Sequence, residues 1–409
     1  MLGRDHLICL GLGAAAGALA LVAIRRLRTR FSRPPRPRGA HTATRRLGGS
    51  DVDVTVLGMG GASLGDLHTQ ISDADAAAAL LAAHANGVTF FDTAPWYGVG
   101  LSEVRFGLTL HRLPRDSFVL NTKVGRTLTP DATKSGASHG WIGGFRHDIR
   151  FSYEAAALEA QIGDSLQRIG VGRLDTVVIH DLEPNGCGWK AADPAAALAV
   201  TRRHLEELRR SGFGALERMR ADGTIRAFGA GVNIDENGED AAAKRAWNRE
   251  YVSALLTMHQ AGGRPIDFFL FANLHSLLTH DAFEQGLLDD CHRAGVSIVI
   301  GGPFSSGILA TGADPPNGTP MYNYKPASAD VRARTRAIQS VCARHGVPLI
   351  AAALQFPLLH PAVASVIPGG KSPDEVRSNV ELLNHKIPAK LWSDLKAEGL
   401  LPAAMPTPG

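Results

Sequence analysis

Three apolar, strand-like runs in this 409-residue chain end in groups that move protons. VTFFDTAPWYG (88–98) closes on Asp92 and Tyr97, FVLNTKVG (118–125) on Lys123, and LDTVVIH (174–180) on His180. A tyrosine exchanges protons poorly near neutrality because its reference pKa is about 10. A neighbouring ammonium favours the phenolate and lowers that value. Bringing it to about 7–8 takes roughly 3–4 kcal/mol, most of which one close, partly buried cation can supply. The pattern therefore assigns Tyr97 as general acid/base, Lys123 as the cation that activates it, and Asp92 as the carboxylate that keeps Lys123 charged and aimed. His180, neutral and held in one tautomer, would hydrogen-bond a substrate oxygen. Singly, each residue has an ordinary reading: a rim aromatic, a helix cap, a solvated strand end, a satisfied core histidine. Their joint placement at three strand ends is what points to a site.

The elements that must position these groups recur along the chain. Strand-like runs lie at 54–60, 88–94, 118–124, 174–180, 225–233, 267–273, 296–302 and 363–369, with helix-like segments between most pairs. One such segment, 72–87, has Ser72 as its N-cap and Gly87 as its stop, and another opens near Ser102 and Glu103. This alternation means a parallel sheet with helical crossovers. Eight units over this length favour a closed α/β barrel, a (β/α)8 or TIM fold, in which strand C-termini share one mouth. Two long insertions, 126–153 and 183–213, leave that same face. The stretch GASHGWIGG inside the first is too glycine-rich to pack alone, so it is expected to be a mobile loop, with Trp141 either a substrate lid or a rim residue. Trp96, beside Tyr97, is the second substrate-contact candidate.

A doubly wound dinucleotide fold is the main structural rival. GMGGASLG (58–65) begins as GxGxxG does, but Ser63 stands at the third glycine position. A ribose-binding acid should follow about 20 residues on; the first acid that ends a later strand is Asp92, too far away. In a barrel, these glycines, Gly60 among them, let backbone approach a nicotinamide closely.

DTAPWYG, TKVG and VVIH stand where the aldo-keto reductase family carries its catalytic Asp, Tyr, Lys and His, and from about Arg45 to the C-terminus the chain resembles that family. FSYEAAALEAQIGDSLQRIGVGRLDTVVIHDLEP (151–184), GGPFSSGILATG (301–312) and ASVIPGGKSPDEVRSNV (364–380) are similar to its subgroup that oxidises free aldoses. The resemblance implies an NAD or NADP cofactor. It places Asn233 near the nicotinamide carboxamide and Gly301, Phe304, Ser305 and Ser306 along the pyrophosphate. Gly301 stands where the family often has a stacking tyrosine, and Phe304 is the residue available to replace it. Gly369, Gly370, Lys371, Glu375 and Asn379 match the adenosine-phosphate segment. Family members that prefer NADP commonly show Lys-Ser and a later arginine there; the glycine pair and Glu375 occupy those places here. A carboxylate repels a 2′-phosphate and accepts bonds from a free ribose hydroxyl, so NAD is the expected cofactor, with NADP the alternative that Lys371 and Arg377 leave open.

Composition bounds the remaining choices. Hydrophobic residues make up 44% and charged residues 20%, as in ordinary globular proteins. The net charge of +4 is unevenly spread. Residues 1–50 hold ten arginines, no lysine and one acid (+9), which leaves 33 basic and 38 acidic residues (−5) for the rest. A mildly acidic body gives nucleic-acid binding no electrostatic support. Cys9, Cys187, Cys291 and Cys342 lack CxxC spacing, so neither a metal site nor a disulfide framework is expected. Residues 7–24 are 18 consecutive apolar residues followed at once by an Arg/Pro-rich linker. They read as a membrane anchor with the body on the cytoplasmic side, or as an organelle transit peptide or dispensable extension; a secretory signal fits less well. GLGAAAG (11–17), inside that run, has no strand before it and is no phosphate loop. The chain divides into this segment, 1–44, and a barrel domain, 45–409. Three functions follow: an aldose 1-dehydrogenase acting on a sugar of the L-fucose or D-arabinose type, an aldehyde or pyridoxal-type oxidoreductase using the same four residues, and a nonenzymatic cofactor-sensing subunit.

Overall fold

A strand buried on both faces is written as a near-continuous apolar run, and the computed structural model of the chain folds eight such runs into one parallel sheet. It describes residues 43–408, apart from Trp189, 234–240 and 259–264. The proposed anchor, 7–24, lies outside the described residues; among those described, no single helix is long and apolar enough to cross a membrane. The strands are β1 (Gly58–Gly60), β2 (Phe90–Asp92), β3 (Val119–Val124), β4 (Thr176–Ile179), β5 (Ala227–Asn233), β6 (Phe268–Ala272), β7 (Ser297–Gly301) and β8 (Val363–Ile367). Each pairs in parallel with its neighbour in chain order. Parallel bridges Leu57–Val366 and Gly60–Gly369 join β8 back to β1 and close the barrel. The structure is the (β/α)8 barrel expected from the repeating runs.

The first run, 54–60, divides. Asp53–Thr55 pairs antiparallel with Thr44–Arg46, and only Gly58–Gly60 joins the barrel. Leu47, Val52 and Val54 of this hairpin are fully buried against Phe90, Val178, Phe268 and Val299, inward-facing residues of the barrel. They seal its N-terminal end, so the open end is the one where strand C-termini and loops converge. A second apolar layer fills the space between the sheet's outer face and the helices.

The helices carry their own start signals. In α1 (Asp73–Ala85), the Ser72 side chain accepts from the Asp75 amide, and Gly87 follows at φ +79°. Next come α2 (Leu101–Leu110) and α3 (Ala155–Ile169). The insertion after β4 forms α4 (Pro194–Glu207), capped by Asp193, whose carboxylate accepts from the Ala196 amide. The helix after β8 is α5 (Pro373–Leu383), capped by Ser372. The insertion after β3 is a packed β-hairpin, which corrects the expectation of a mobile loop: Arg126–Pro130 pairs antiparallel with His147–Phe151. Its glycine-rich tip is pinned by amide bonds from Ile142 to the Asp66 carbonyl (3.1 Å) and from Phe145 to the Gly98 carbonyl (3.0 Å). Gly144 sits at φ +111°, and a Cβ there would meet the Gly98 oxygen at 2.5 Å. The glycines thus allow two backbones to touch.

Candidate active site

Asp92 and Lys123 end β2 and β3 on the same side of the sheet. The ammonium donates to Asp92 Oδ1 at 2.6 Å, with the two side chains 1% and 3% exposed. It also donates to the Thr93 carbonyl at 2.9 Å, while Asn121 Nδ2 donates to the same Asp92 oxygen at 2.6 Å. Burial lowers the Lys123 pKa, and Asp92 is the main force opposing that shift. The cation is therefore fixed by its partners.

Tyr97 lies in the turn between β2 and α2. This turn is tied down by the Thr93–Ser102 hydroxyl contact (2.8 Å) and by Ser102 donating to the Gly61 carbonyl (2.9 Å). Lys123 Nζ sits 4.5 Å from the centroid of the Tyr97 ring, over its face. The electrostatics at the phenol differ from the sequence expectation. Burial first, then the charges of Asp92 and neighbouring acids, push its pKa well above the usual value, and Arg126 is the cation that opposes them. The carboxylate that fixes Lys123 also offsets its field, so the phenol keeps its proton at neutral pH.

His180 follows β4. Its ring meets Tyr97 edge-on, with centroids 6.1 Å apart. Nδ1 lies 3.0 Å from Arg126 Nη1, and Nε2 lies 3.3 Å from Asp181 Oδ1. Burial, Arg126 and Lys123 hold its pKa well below the ordinary value against the pull of Asp181, so the imidazole is neutral.

Three groups here were not found by sequence reasoning: Arg126, Asp181 and Glu183. Arg126 ion-pairs with Asp181. Asp181 takes a left-handed backbone (φ +50°), uncommon for a residue with a side chain and concentrated at functional sites. Asn233, at the tip of β5, donates its side-chain amide to Asp181 (3.2 Å) and Glu183 (2.6 Å), and its backbone amide to Glu183 (3.1 Å). Burial and the Asp181 charge raise the Glu183 pKa to about 8. With its N–H groups turned to carboxylates, Asn233 offers only its amide oxygen to a ligand. The available signal was HDLEP (180–184), two acids directly after the histidine.

Aromatic rings complete this side of the mouth. Trp141 is 3% exposed, within 5.7 Å of Trp96 and 6.0 Å of Tyr97. The Arg126 guanidinium lies 4.7 Å from the Trp96 centroid. Two buried donors, Trp141 Nε1 and Arg126 Nε, have no hydrogen-bond partner among the described residues.

The opposite side is built from the β7 and β8 tips, which are adjacent in the sheet. After Gly301, the backbone is left-handed at Gly302, Ser305, Ser306 and Gly307. Ser305 is buried against the Ser276 hydroxyl (3.1 Å), and the Ser306 hydroxyl accepts from the Tyr324 amide (3.0 Å). Phe304 is half-buried on the core. The Gly60 amide donates to the Pro368 carbonyl at 2.9 Å, which joins the two ends of the barrel seam. A Cβ on Gly369 would approach the Ser63 hydroxyl at 3.2 Å, and one on Gly370 would approach Val376 at 3.1 Å. The Ser63 hydroxyl is itself buried and has no hydrogen-bond partner among the described residues. Beyond these glycines, the Glu375 carboxylate accepts from the Lys371 amide at 2.8 Å, Arg377 pairs with Asp374, and Asn379 is largely buried on α5. Side-chain-free backbone, an orphaned hydroxyl and a helix N-terminus in sequence along one rim suit a dinucleotide. Among the described residues, no cluster of three or more His, Cys, Asp or Glu is placed to hold a metal.

Comparison with known proteins agrees with this geometry. Residues 56–398 match the aldo/keto reductase family. Pyridoxal 4-dehydrogenase of Microbacterium luteolum is 34% identical over 372 residues, covering 87% of this chain and 97% of that protein. D-threo-aldose 1-dehydrogenase of a Pseudomonas species is 33% identical over 353 residues, covering 85% and 95%. Among solved structures, an aldo-keto reductase from Bacillus halodurans in its holo form superposes with a TM-score of 0.61 at 23% identity, covering 89% of this chain and 98% of its own. The family match spans most of the barrel and full-length relatives share a third of their residues with it, so the chain belongs to the aldo/keto reductase family and is an NAD(P)-dependent oxidoreductase.

Proposed function

We propose that the protein is an NAD-dependent aldose 1-dehydrogenase that oxidises the anomeric hydroxyl of a cyclic sugar, of the L-fucose or D-arabinose type, to its lactone. The observation that carries this reading is the polar wall beside Tyr97 and His180. Asp181, Glu183, Asn233 and Arg126 form it as a network bonded to one another, and Trp141 Nε1 and Arg126 Nε, buried without a partner among the described residues, add two open donors. The hydroxyls of a sugar ring can take up the two open donors, which a plain aldehyde leaves unpaired at a cost in a buried site. The similarity to D-threo-aldose 1-dehydrogenase supports the same reading.

A nicotinamide cofactor held along Gly60, Ser305, Ser306, Gly369 and Gly370 would supply the acceptor for the hydride of the anomeric carbon. Tyr97 takes the hydroxyl proton, for which it must itself be deprotonated. Lys123 and Asp92 hold the ring face in place. His180 donates a hydrogen bond to the substrate oxygen. Glu375 favours NAD, because its carboxylate already occupies the N-terminal end of α5, where a 2′-phosphate would otherwise be received. A second reading, a pyridoxal-type dehydrogenase, is favoured by the Trp96–Trp141 pair, which suits a flat aromatic ring, and by the similarity to pyridoxal 4-dehydrogenase. The test is a panel of L-fucose, D-arabinose, other aldoses and pyridoxal given to the purified full-length protein with NAD or NADP, followed by cofactor absorbance. Turnover of sugars with NAD supports the first reading. Turnover of pyridoxal with silence on sugars replaces it with the second.

A further inference from the structure

The proton-transfer scheme gives no work to Arg126, yet this arginine is buried at the centre of the mouth. Gly125, at φ +117°, turns the chain out of β3; a Cβ there would meet the Tyr153 ring at 2.6 Å, so the turn that aims Arg126 is closely packed. The guanidinium reaches His180 Nδ1 through Nη1 and Asp181 through Nη2, and its carbon lies 4.7 Å from the Trp96 centroid and 4.6 Å from the Phe151 centroid.

A guanidinium has only donors and does not lose a proton in proteins. In the 3.0 Å contact, His180 Nδ1 is therefore the acceptor. A neutral imidazole that accepts at Nδ1 carries its proton on Nε2. That N–H rests against Asp181 Oδ1 at 3.3 Å, a long contact that a substrate oxygen can replace. We propose that Arg126 is a positioning residue that fixes His180 as a neutral, Nε2-protonated donor for the substrate oxygen, with Asp181 holding that N–H until substrate arrives. The proposal rests on the oxidoreductase reading of this site.

The groups facing His180 are Asp181 from its own segment, Arg126 from the hairpin after β3, Lys123 from β3 and Tyr97 from the turn after β2. The two cations and burial disfavour the imidazolium, and Asp181 favours it. Removing Arg126 leaves Asp181 beside the ring without its cation, with Asn233 still donating to it. The imidazolium is then stabilised, and neither ring nitrogen is reserved for the proton.

The test combines nitrogen-15 spectra of histidine-labelled full-length protein with pH–rate profiles, for the wild type, Arg126→Met and Arg126→Lys; His180→Gln assigns the resonance. In the wild type, His180 should show an unprotonated Nδ1 and a protonated Nε2, with no titration from about pH 5 to about pH 8, the window of an ordinary histidine. Arg126→Met should bring its titration into that window. Turnover should fall roughly 10²-fold on the acid side, a typical contribution of a positioned acid–base group, and recover as pH rises. Arg126→Lys, which keeps a charge and a donor, should restore the tautomer and most of the rate. A wild-type His180 protonated on Nδ1 overturns the proposal, as does an Arg126→Met spectrum identical to wild type. If Arg126→Met does not fold, the wild-type spectrum and Arg126→Lys still decide. Silence on every sugar and aldehyde would instead remove the functional reading, while the tautomer measurement still reports on Arg126.

Discussion

Asp92→Asn is the perturbation whose size follows most directly from the structure. Lys123 is 1% exposed, and its ammonium bonds Asp92 at 2.6 Å and the Thr93 carbonyl at 2.9 Å. Removing one partner of a buried ion pair typically costs about 3–5 kcal/mol, because the other charge is left uncompensated. The loss has a ceiling, since Lys123 can give up its proton. Burial already lowers its pKa below the free value of 10.5, and Asp92 is the first force holding it up. Without Asp92 the folded-state pKa falls further. The unfolded chain then binds one more proton than the folded chain between the two values, and stability rises with pH at about 1.4 kcal/mol per pH unit in that interval. The variant should therefore be several kcal/mol less stable than wild type at about pH 6, and its deficit should shrink towards about pH 9. Denaturant melts followed by tryptophan fluorescence at both pH values measure this. A second variant, Asp92→Asn with Lys123→Met, should recover much of the loss, because it removes both charges. A deficit that is the same at both pH values, or below about 1 kcal/mol, would show that the pair is not the buried, mutually dependent unit described above.

Three further outcomes follow from the same geometry. Tyr97→Phe should abolish turnover while leaving cofactor affinity, read by quenching of protein fluorescence, within about twofold, since it removes only a hydroxyl; retained turnover would refute its role as the acid/base. Because burial and Asp92 push the phenol's pKa up, the fraction of phenolate grows tenfold per pH unit below that value. Sugar oxidation should therefore climb through neutrality into the alkaline range, while carbonyl reduction, which needs the protonated phenol, stays level; an oxidation profile flat across neutrality rules the reasoning out. Glu375→Arg should shift the ratio of kcat/KM values towards NADP by about tenfold or more, as expected when a charge facing a phosphate is reversed; an unchanged ratio would place Glu375 away from the ribose.

The barrel was legible in the sequence because both of its determinants are local. Runs such as FFLFA of β6 declare strands buried on two faces, and a cap such as Ser72 marks where a helix begins. The four proton-transfer candidates stood out in the sequence because they close three such runs, Asp92 and Tyr97 sharing the first. What escaped depends on tertiary pairing. The run 54–60 carries one uninterrupted apolar signal, yet half of it turns antiparallel to plug the barrel with Val54. GASHGWIGG was read as loose because glycine provides no side chain to pack, whereas here it allows Gly144 and Gly98 to come together and bury Trp141. Arg126 and Asp181 were passed over for a related reason. An arginine and an aspartate 55 positions apart look like two surface charges until β3 and β4 pair and bring them onto the same histidine. The acidity of the phenol was misjudged because adding one cation to one tyrosine omits the carboxylate that must accompany a buried ammonium. In a low-dielectric mouth, each charge needed for chemistry brings a partner of opposite sign, and the partner sets the direction in which the reacting group titrates. Beside Tyr97, burial and then Asp92, the partner of Lys123, push the phenol's pKa up. Beside His180, burial and then Arg126, the partner of Asp181, push the imidazole's pKa down. Both resting states present a proton to the position of a carbonyl oxygen. If the protein works as a dehydrogenase, oxidation must therefore draw on the small phenolate fraction, whose growth with pH the rate profile is designed to find.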